Sequence, residues 1–133
     1  MATSHRVLVV EDDINLGQIM VEVLTAAGYE VQTADDGLHG LMMYVQQQPE
    51  VVLTDIQMPE LDGLEMMRCI RALNPNVKTM YISGALNQYR EALTKERKEY
   101  GALVLDKPFS RNDLLHSMDS WLSGRPENTI HRQ

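Results

Sequence analysis

The alternation of short apolar runs with longer amphipathic segments is the feature that most constrains the fold of this chain. Two of the five runs are continuous and rich in β-branched residues, which is typical of strands buried on both faces of a sheet. Strict alternation of strand and helix predicts an α/β domain with a parallel sheet, right-handed crossovers and helices on both faces. The predicted strands are residues 7–10, 30–33, 51–54, 78–82 and 102–105.

The segments between the runs carry apolar residues at helical spacing. We predict that Gly28 closes the first helix, that the third ends before Asn74-Pro75, and that Ser110 caps the fifth. The fourth, at residues 87–100, has the weakest apolar stripe, and its charges indicate a solvated helix or, alternatively, a partner-facing or mobile one. The apolar markers are Leu16, Ile19, Met20, Val23 and Leu24; Leu41, Met42 and Val45; Leu64, Met67, Ile70 and Leu73; Tyr89, Leu93 and Tyr100; and Leu114, Leu115, Met118, Trp121 and Leu122.

Length and composition narrow the classes of function. The chain has 133 residues, enough for one domain, and a net charge of −7, which disfavours the phosphate contacts of nucleic acid binding. No stretch approaches the roughly 20 apolar residues of a membrane span, and no signal peptide is recognisable. The single cysteine, Cys69, excludes an intramolecular disulfide and is predicted to be a buried thiol. We expect a cytoplasmic protein with one domain at residues 1–122 and a polar tail, which frays, at 123–133.

Chemically active side chains stand at the ends of four predicted strands. The acidic run Glu11-Asp12-Asp13 follows the first strand and Asp55 follows the third, while Ser83 ends the fourth and Lys107 comes just after the fifth. Ligands of parallel sheets bind beyond the carboxyl ends of the strands, so these side chains are expected to converge. Carboxylates alone suit Mg²⁺, and a hydroxyl with an ammonium suits the oxygens of an acyl phosphate on Asp55.

Each of these residues also has a simpler interpretation. Asp12 or Asp13 can cap the helix that follows, and Asp55 can cap a loop. The Ser83-Gly84 pair is common in turns, and Lys107 before a proline is common at the start of a solvated loop. The coincidence of an acid pair, a nucleophile, a hydroxyl and a lysine at four strand ends favours the chemical interpretation.

The motifs at these strand ends resemble those of the receiver domain of response regulators, over residues 6–122. The similarity includes the Asp-x-x-Met-Pro-x-x-Asp-Gly pattern, which is highly specific when it lies between such partners. The stretches at 81–84 and 105–109 are similar to receivers of hybrid sensor kinases. The residues that carry the resemblance are those at 7–13 and 55–63, Ser83-Gly84-Ala85, and Lys107-Pro108-Phe109.

This resemblance implies a flavodoxin-like fold, with a doubly wound five-stranded parallel sheet of order 2-1-3-4-5 and five helices. It implies a magnesium site made by Glu11, Asp12, Asp55 and the backbone carbonyl of Gln57. Asp55 would accept a phosphoryl group from a histidine kinase or phosphotransfer protein, in a two-component phosphorelay. Such a domain catalyses only its own phosphorylation and dephosphorylation and is not otherwise an enzyme.

The resemblance also implies a conformational switch. Ser83 would turn inward to meet the phosphate, and the surface around the fourth helix, fifth strand and fifth helix would change for an output partner or domain that the sequence does not identify. Receivers usually carry Phe or Tyr three residues before the lysine, but here that position is Val104. Our hypothesis is that the aromatic switch is absent or is replaced by Tyr81, which strand alternation places on the same side as Ser83.

Three rival functions are disfavoured by the residues at their key positions. A phosphohydrolase of the haloacid dehalogenase type needs a second Asp two residues after the nucleophile, where this chain has Gln57. A dinucleotide-binding fold needs a Gly-x-Gly-x-x-Gly motif after the first strand, and none follows it. A phosphorylation-independent receiver is disfavoured because every position of the acceptor site is filled.

Overall fold

A computed structural model of the protein describes residues 5–122, with side chains through residue 119, and there it confirms the predicted alternation. The polar tail predicted at 123–133 lies outside the described residues. No helix in the described part is both long enough and apolar enough to cross a membrane. The elements are β1 (Arg6–Val10), α1 (Ile14–Ala26), β2 (Glu30–Ala34), α2 (Gly37–Gln47), β3 (Val51–Asp55), α3 (Gly63–Leu73), β4 (Lys78–Ser83), a 3₁₀ turn (Leu86–Tyr89), α4 (Arg90–Tyr100), β5 (Leu103–Asp106) and α5 (Arg111–Leu122).

The five strands pair in parallel in the order β2-β1-β3-β4-β5, which confirms the predicted doubly wound sheet. One hydrophobic core lies between the sheet and helices α1 and α5, and includes Met20, Leu24 and Met118. A second core lies on the opposite face under α2, α3 and α4, and includes Met66 and Leu93. Because helices cover both faces, the free space for a ligand is at the strand ends.

Caps fix where the helices begin and end. Asp13 caps α1 by accepting a hydrogen bond from the Leu16 amide at 3.2 Å, so the simpler interpretation is right for this one acid. Gly28 follows the end of α1 with φ at +101°, as predicted. The Ser110 hydroxyl accepts from the Asp113 amide at 3.0 Å, which confirms the predicted cap of α5.

Two helices are rotated from the orientation that their apolar markers predict. In α3 the buried positions are Gly63, Met66, Met67, Ile70 and Arg71, and Cys69 is exposed, so the prediction of a buried thiol was wrong. In α2 the buried face is Gly37, Gly40 and Tyr44, and glycine at position 40 permits a close approach to β1, because a Cβ there would lie 2.9 Å from Val10 Cγ2. Three marker residues are consequently exposed, Met42 and Val45 on α2 and Leu73 on α3, and two markers on other helices, Ile19 on α1 and Tyr100 on α4, are exposed as well.

Candidate functional site

The carboxyl edge of the sheet brings the predicted site residues together. Asp55 is the last residue of β3 and Ser83 the last of β4, while Glu11 and Lys107 directly follow β1 and β5. The register pairs Asp55 with Ile82 and Ser83 with Asp106, so the four strand ends are level. Their side chains therefore share the cleft that the sheet topology creates at this edge.

Lys107 connects the two buried carboxylates. Its Nζ lies 3.2 Å from Asp55 Oδ2 and 3.3 Å from Glu11 Oε1. Its backbone amide donates to the carbonyl oxygen of Ser83 at 2.9 Å, which fixes the start of the loop beside the end of β4. The ammonium group therefore bridges two acids that come from different strands.

Three carboxylates form an oxygen cluster suited to a divalent cation. Glu11, Asp12 and Asp55 each offer one carboxylate oxygen, and these atoms all lie within 4.8 Å of one another. Glu11 Oε2 accepts from the Asp13 amide at 3.1 Å, and Oε1 is buried with the Lys107 ammonium 3.3 Å away as its ion-pair partner. Three carboxylates beside one ammonium leave an excess of negative charge, which fits a hard cation such as Mg²⁺.

Burial and charge shift the protonation of two site residues. Burial raises the pKa of Glu11 from its ordinary 4.5 to about 7, and the charge of Asp55 adds to the rise, while the Asp13 amide and Lys107 oppose it. Burial opposes the ammonium form of Lys107, yet the charges of Glu11 and Asp55 raise its pKa overall. Lys107 is therefore a cation at neutral pH, and Glu11 is only partly ionised until a cation is bound.

The main chain around Asp55 holds its carboxylate in place. Oδ1 accepts from the amide of Ile56 at 2.8 Å, which leaves Oδ2 facing Lys107. The loop after β3 returns so closely that a Cβ on Gly63 would lie 2.2 Å from the Asp55 carbonyl oxygen. The Gly63 amide donates to the carbonyl oxygen of Ile56 at 2.8 Å, so this turn requires glycine.

Ser83 and Gln57 are placed at the edge but are not bonded to the acids. The Ser83 hydroxyl is buried and accepts from the amide of Ala85 at 2.9 Å, and no hydrogen bond joins it to Asp55 in the described structure. Gln57 lies two residues past Asp55 with an exposed side chain. The role of Ser83 in holding a phosphate and that of the Gln57 carbonyl in binding Mg²⁺ stay predictions.

A second polar cluster, on the α4 side of the sheet, was not predicted from the sequence. Glu96 was expected among the solvated charges of the fourth helix, and this was wrong, because its side chain is only 16% exposed. Glu96 Oε1 accepts from the Tyr81 hydroxyl at 2.6 Å and pairs with Arg71 Nη2 at 2.6 Å. The available signal was the spacing from Leu93, three residues earlier, which puts Glu96 on the buried face of the helix.

Comparisons with known proteins agree with this geometry. The family model for the response regulator receiver domain matches residues 7–119. The response regulator receiver protein CpdR of Brucella abortus (strain 2308) is 35% identical over 121 residues, which cover 88% of this chain and 96% of that protein. A CheY-like receiver domain protein from Methanospirillum hungatei JF-1 superposes with a TM-score of 0.80 at 26% identity, covering 92% of this chain and 96% of that one. The response regulator TrrA from Thermotoga maritima, in complex with Mg(2+)-BeF, superposes with a TM-score of 0.76 at 28% identity, covering 87% of this chain and 97% of that one.

Proposed function

Because the chain belongs to the response regulator receiver family, we propose that Asp55 accepts a phosphoryl group with the help of Mg²⁺. The observation that carries this proposal is the bridge from Lys107 to both Asp55 and Glu11, at 3.2 and 3.3 Å. A lone capping aspartate needs no such partner. An acid that attacks an anionic phosphorus centre does, because repulsion between anions is the main barrier.

The transfer itself is an exchange of one bond for another. A carboxylate oxygen of Asp55 forms a bond to phosphorus, and the bond from phosphorus to the imidazole nitrogen of a phosphohistidine breaks. The electron pair of the broken bond stays on the imidazole nitrogen, which then takes a proton from water. Asp55 needs no general base, since a carboxylate has no proton to lose at neutral pH.

The residues of the chain prepare this exchange by position and charge. Lys107 neutralises part of the acidic cluster and is placed to pair with a phosphoryl oxygen. Ser83 ends the neighbouring strand, and its hydroxyl would meet another phosphoryl oxygen after leaving the Ala85 amide. The carboxylates of Glu11, Asp12 and Asp55, with the backbone carbonyl of Gln57, would hold Mg²⁺. The bound ion would supply charge neutralisation at the phosphoryl oxygens.

The wider role follows from the family. We propose that the phosphoryl donor is a histidine kinase or a phosphotransfer protein in the cytoplasm. The domain would catalyse only its own phosphorylation and dephosphorylation, and its conformational change would signal to an output partner or domain. The net charge of −7 supports a protein partner over direct contact with nucleic acid.

Phosphorylation with acetyl phosphate and Mg²⁺, followed by intact mass spectrometry, tests the assignment of Asp55. Wild type is expected to gain one phosphoryl group and Asp55→Asn none. Asp106→Asn is the matched control, because Asp106 is an exposed acid at the same sheet edge, and it should be labelled like wild type. Equal labelling of Asp55→Asn and wild type would refute the assignment. Labelling of no variant would instead favour a receiver that works without phosphorylation.

A further inference from the structure

Helix α4 has little apolar contact with the rest of the domain. Of its residues, all of which the structure describes, only Leu93 is buried. One buried side chain contributes little to the packing of a helix of 11 residues. A surface helix normally packs on the domain through a whole apolar stripe. Something other than hydrophobic burial must therefore contribute to holding α4 on the sheet.

The polar cluster around Glu96 supplies that attachment. Glu96 on α4 accepts from the Tyr81 hydroxyl of β4 at 2.6 Å and pairs with Arg71 of α3 at 2.6 Å. Arg71 also donates to the Thr79 hydroxyl at 3.3 Å and lies 3.9 Å from the centre of the Tyr100 ring at the end of α4. Two helices and one strand thus meet at a single carboxylate, shielded from water, where such bonds are strongest.

This cluster shares β4 with the acceptor site. Tyr81 and Ser83 stand two residues apart on the same strand face, and both are buried. The Ser83 hydroxyl accepts from the Ala85 amide in the loop that leads to α4. Opposite Tyr81 in the register is Val104, so no aromatic ring of β5 stands beside it. The polar attachments of the α4 region to β4 are therefore the Ser83 hydroxyl before the helix and Glu96 within it.

We propose that Tyr81, Glu96 and Arg71 form a latch that seats α4, and that a change at Ser83 is transmitted to α4 through this latch along β4. If Ser83 turned toward a phosphate, the loop before α4 would lose the bond to its Ala85 amide. Glu96 would then be the remaining polar tether of the helix to β4. The helix would move by turning about Glu96 or by breaking its bonds. The transmission part rests on the proposed phosphorylation of Asp55, whereas the latch itself does not.

Amide hydrogen exchange of the full chain without a phosphodonor tests the latch. Tyr81→Phe keeps the ring and removes the donor, so amides of α4 should exchange at least about tenfold faster, as expected for losing a bond to a charged acceptor. Tyr44→Phe is the matched control. Tyr44 is also buried, but its hydroxyl accepts from the Asn74 side chain, whereas the Tyr81 hydroxyl donates to Glu96 of α4. Unchanged exchange of α4 in Tyr81→Phe, or an equal change in Tyr44→Phe, would overturn the latch.

If Tyr81→Phe does not fold, a second pair of variants tests the latch. Glu96→Gln keeps the shape of the side chain and removes its charge, while Glu99→Gln changes an exposed acid on the same helix. Faster exchange of α4 in Glu96→Gln than in Glu99→Gln supports the latch. Equal exchange in the two variants overturns it.

Adding acetyl phosphate and Mg²⁺ tests the transmission and separates it from the acceptor assignment. In wild type we expect α4 exchange to change on labelling. In Glu96→Gln, labelling of Asp55 should persist while that response falls by at least half. A full response in labelled Glu96→Gln would refute transmission through the latch. If wild type is not labelled at all, the proposed function fails, and the comparison without a phosphodonor still decides the latch.

Discussion

Lowering the pH from 8 to 6 is predicted to weaken the binding of Mg²⁺ to this protein, because protons and the metal compete for Glu11. Metal ligands must be ionised to bind, and the pKa of Glu11 is raised to about 7 by burial. Glu11 would then be ionised in roughly 10% of molecules at pH 6 and roughly 90% at pH 8, so the apparent affinity falls about tenfold. With an ordinary pKa of 4.5, the affinity would be nearly constant over this range.

Isothermal titration calorimetry measures both the affinity and the protons released. At pH 7 the binding of one Mg²⁺ should release about half a proton, detected by repeating the titration in buffers of different ionisation enthalpy. The Glu11→Gln variant has no ionisable group at position 11. Its affinity for Mg²⁺ should be weaker than that of wild type and should lack the pH dependence that Glu11 causes. The difference between the two proteins in the slope of log affinity against pH isolates the contribution of Glu11. Equal slopes in wild type and Glu11→Gln would refute the reasoning.

The same shift determines how the metal-free protein responds to pH. The folded protein binds the Glu11 proton more tightly than the unfolded chain does, whose pKa is near 4.5. The stability that this proton contributes is therefore fully present below pH 4.5 and is lost as the pH rises through about 7. In EDTA at pH 8, Glu11→Gln should unfold at higher urea concentration than wild type. The upper limit of its gain in the free energy of unfolding is about 3 kcal/mol.

Two further substitutions test the charge and the backbone of the site. Lys107→Met removes the cation that Glu11 and Asp55 share, so labelling by acetyl phosphate should slow by at least about 100-fold, measured as the initial rate. Gly63→Ala would bring a Cβ to within 2.2 Å of the Asp55 carbonyl oxygen, and should lower the free energy of unfolding by about 2–4 kcal/mol in urea titrations. Gly17→Ala is the control, since its nearest neighbour would be 3.8 Å away, and it should change stability by no more than about 1 kcal/mol.

The parts of the site that could be predicted are the residues that belong to short local sequence motifs. Each of these motifs stands at or just after the end of a strand: the acid run after β1, Asp55 at the end of β3 and Lys107 after β5. A parallel sheet brings all its carboxyl ends to one edge, so local motifs sufficed to assemble them. The sheet order followed from the resemblance that these motifs established, whereas the five helices were predicted from apolar residues at helical spacing.

The parts that failed depend on how far a helix turns about its axis. Cys69 was expected to be buried because apolar residues surround it in sequence, but α3 directs Met66 and Ile70 at the sheet instead. Glu96 lies 25 residues from Arg71 along the chain, and nothing local indicates that the two meet. The raised pKa of Glu11 was also not predictable, because desolvation depends on the packing around a side chain rather than on its neighbours in sequence.

The backbone and the side chain of Lys107 contact two different parts of the sheet edge. Its amide donates to Ser83 and its ammonium lies against Asp55, at 2.9 and 3.2 Å. A displacement of the end of β5 relative to β4 therefore also displaces the charge that balances the acids. Conversely, a new anion that draws the ammonium away acts on the residue that joins the ends of β4 and β5. Strand position and site electrostatics are thus coupled through one residue.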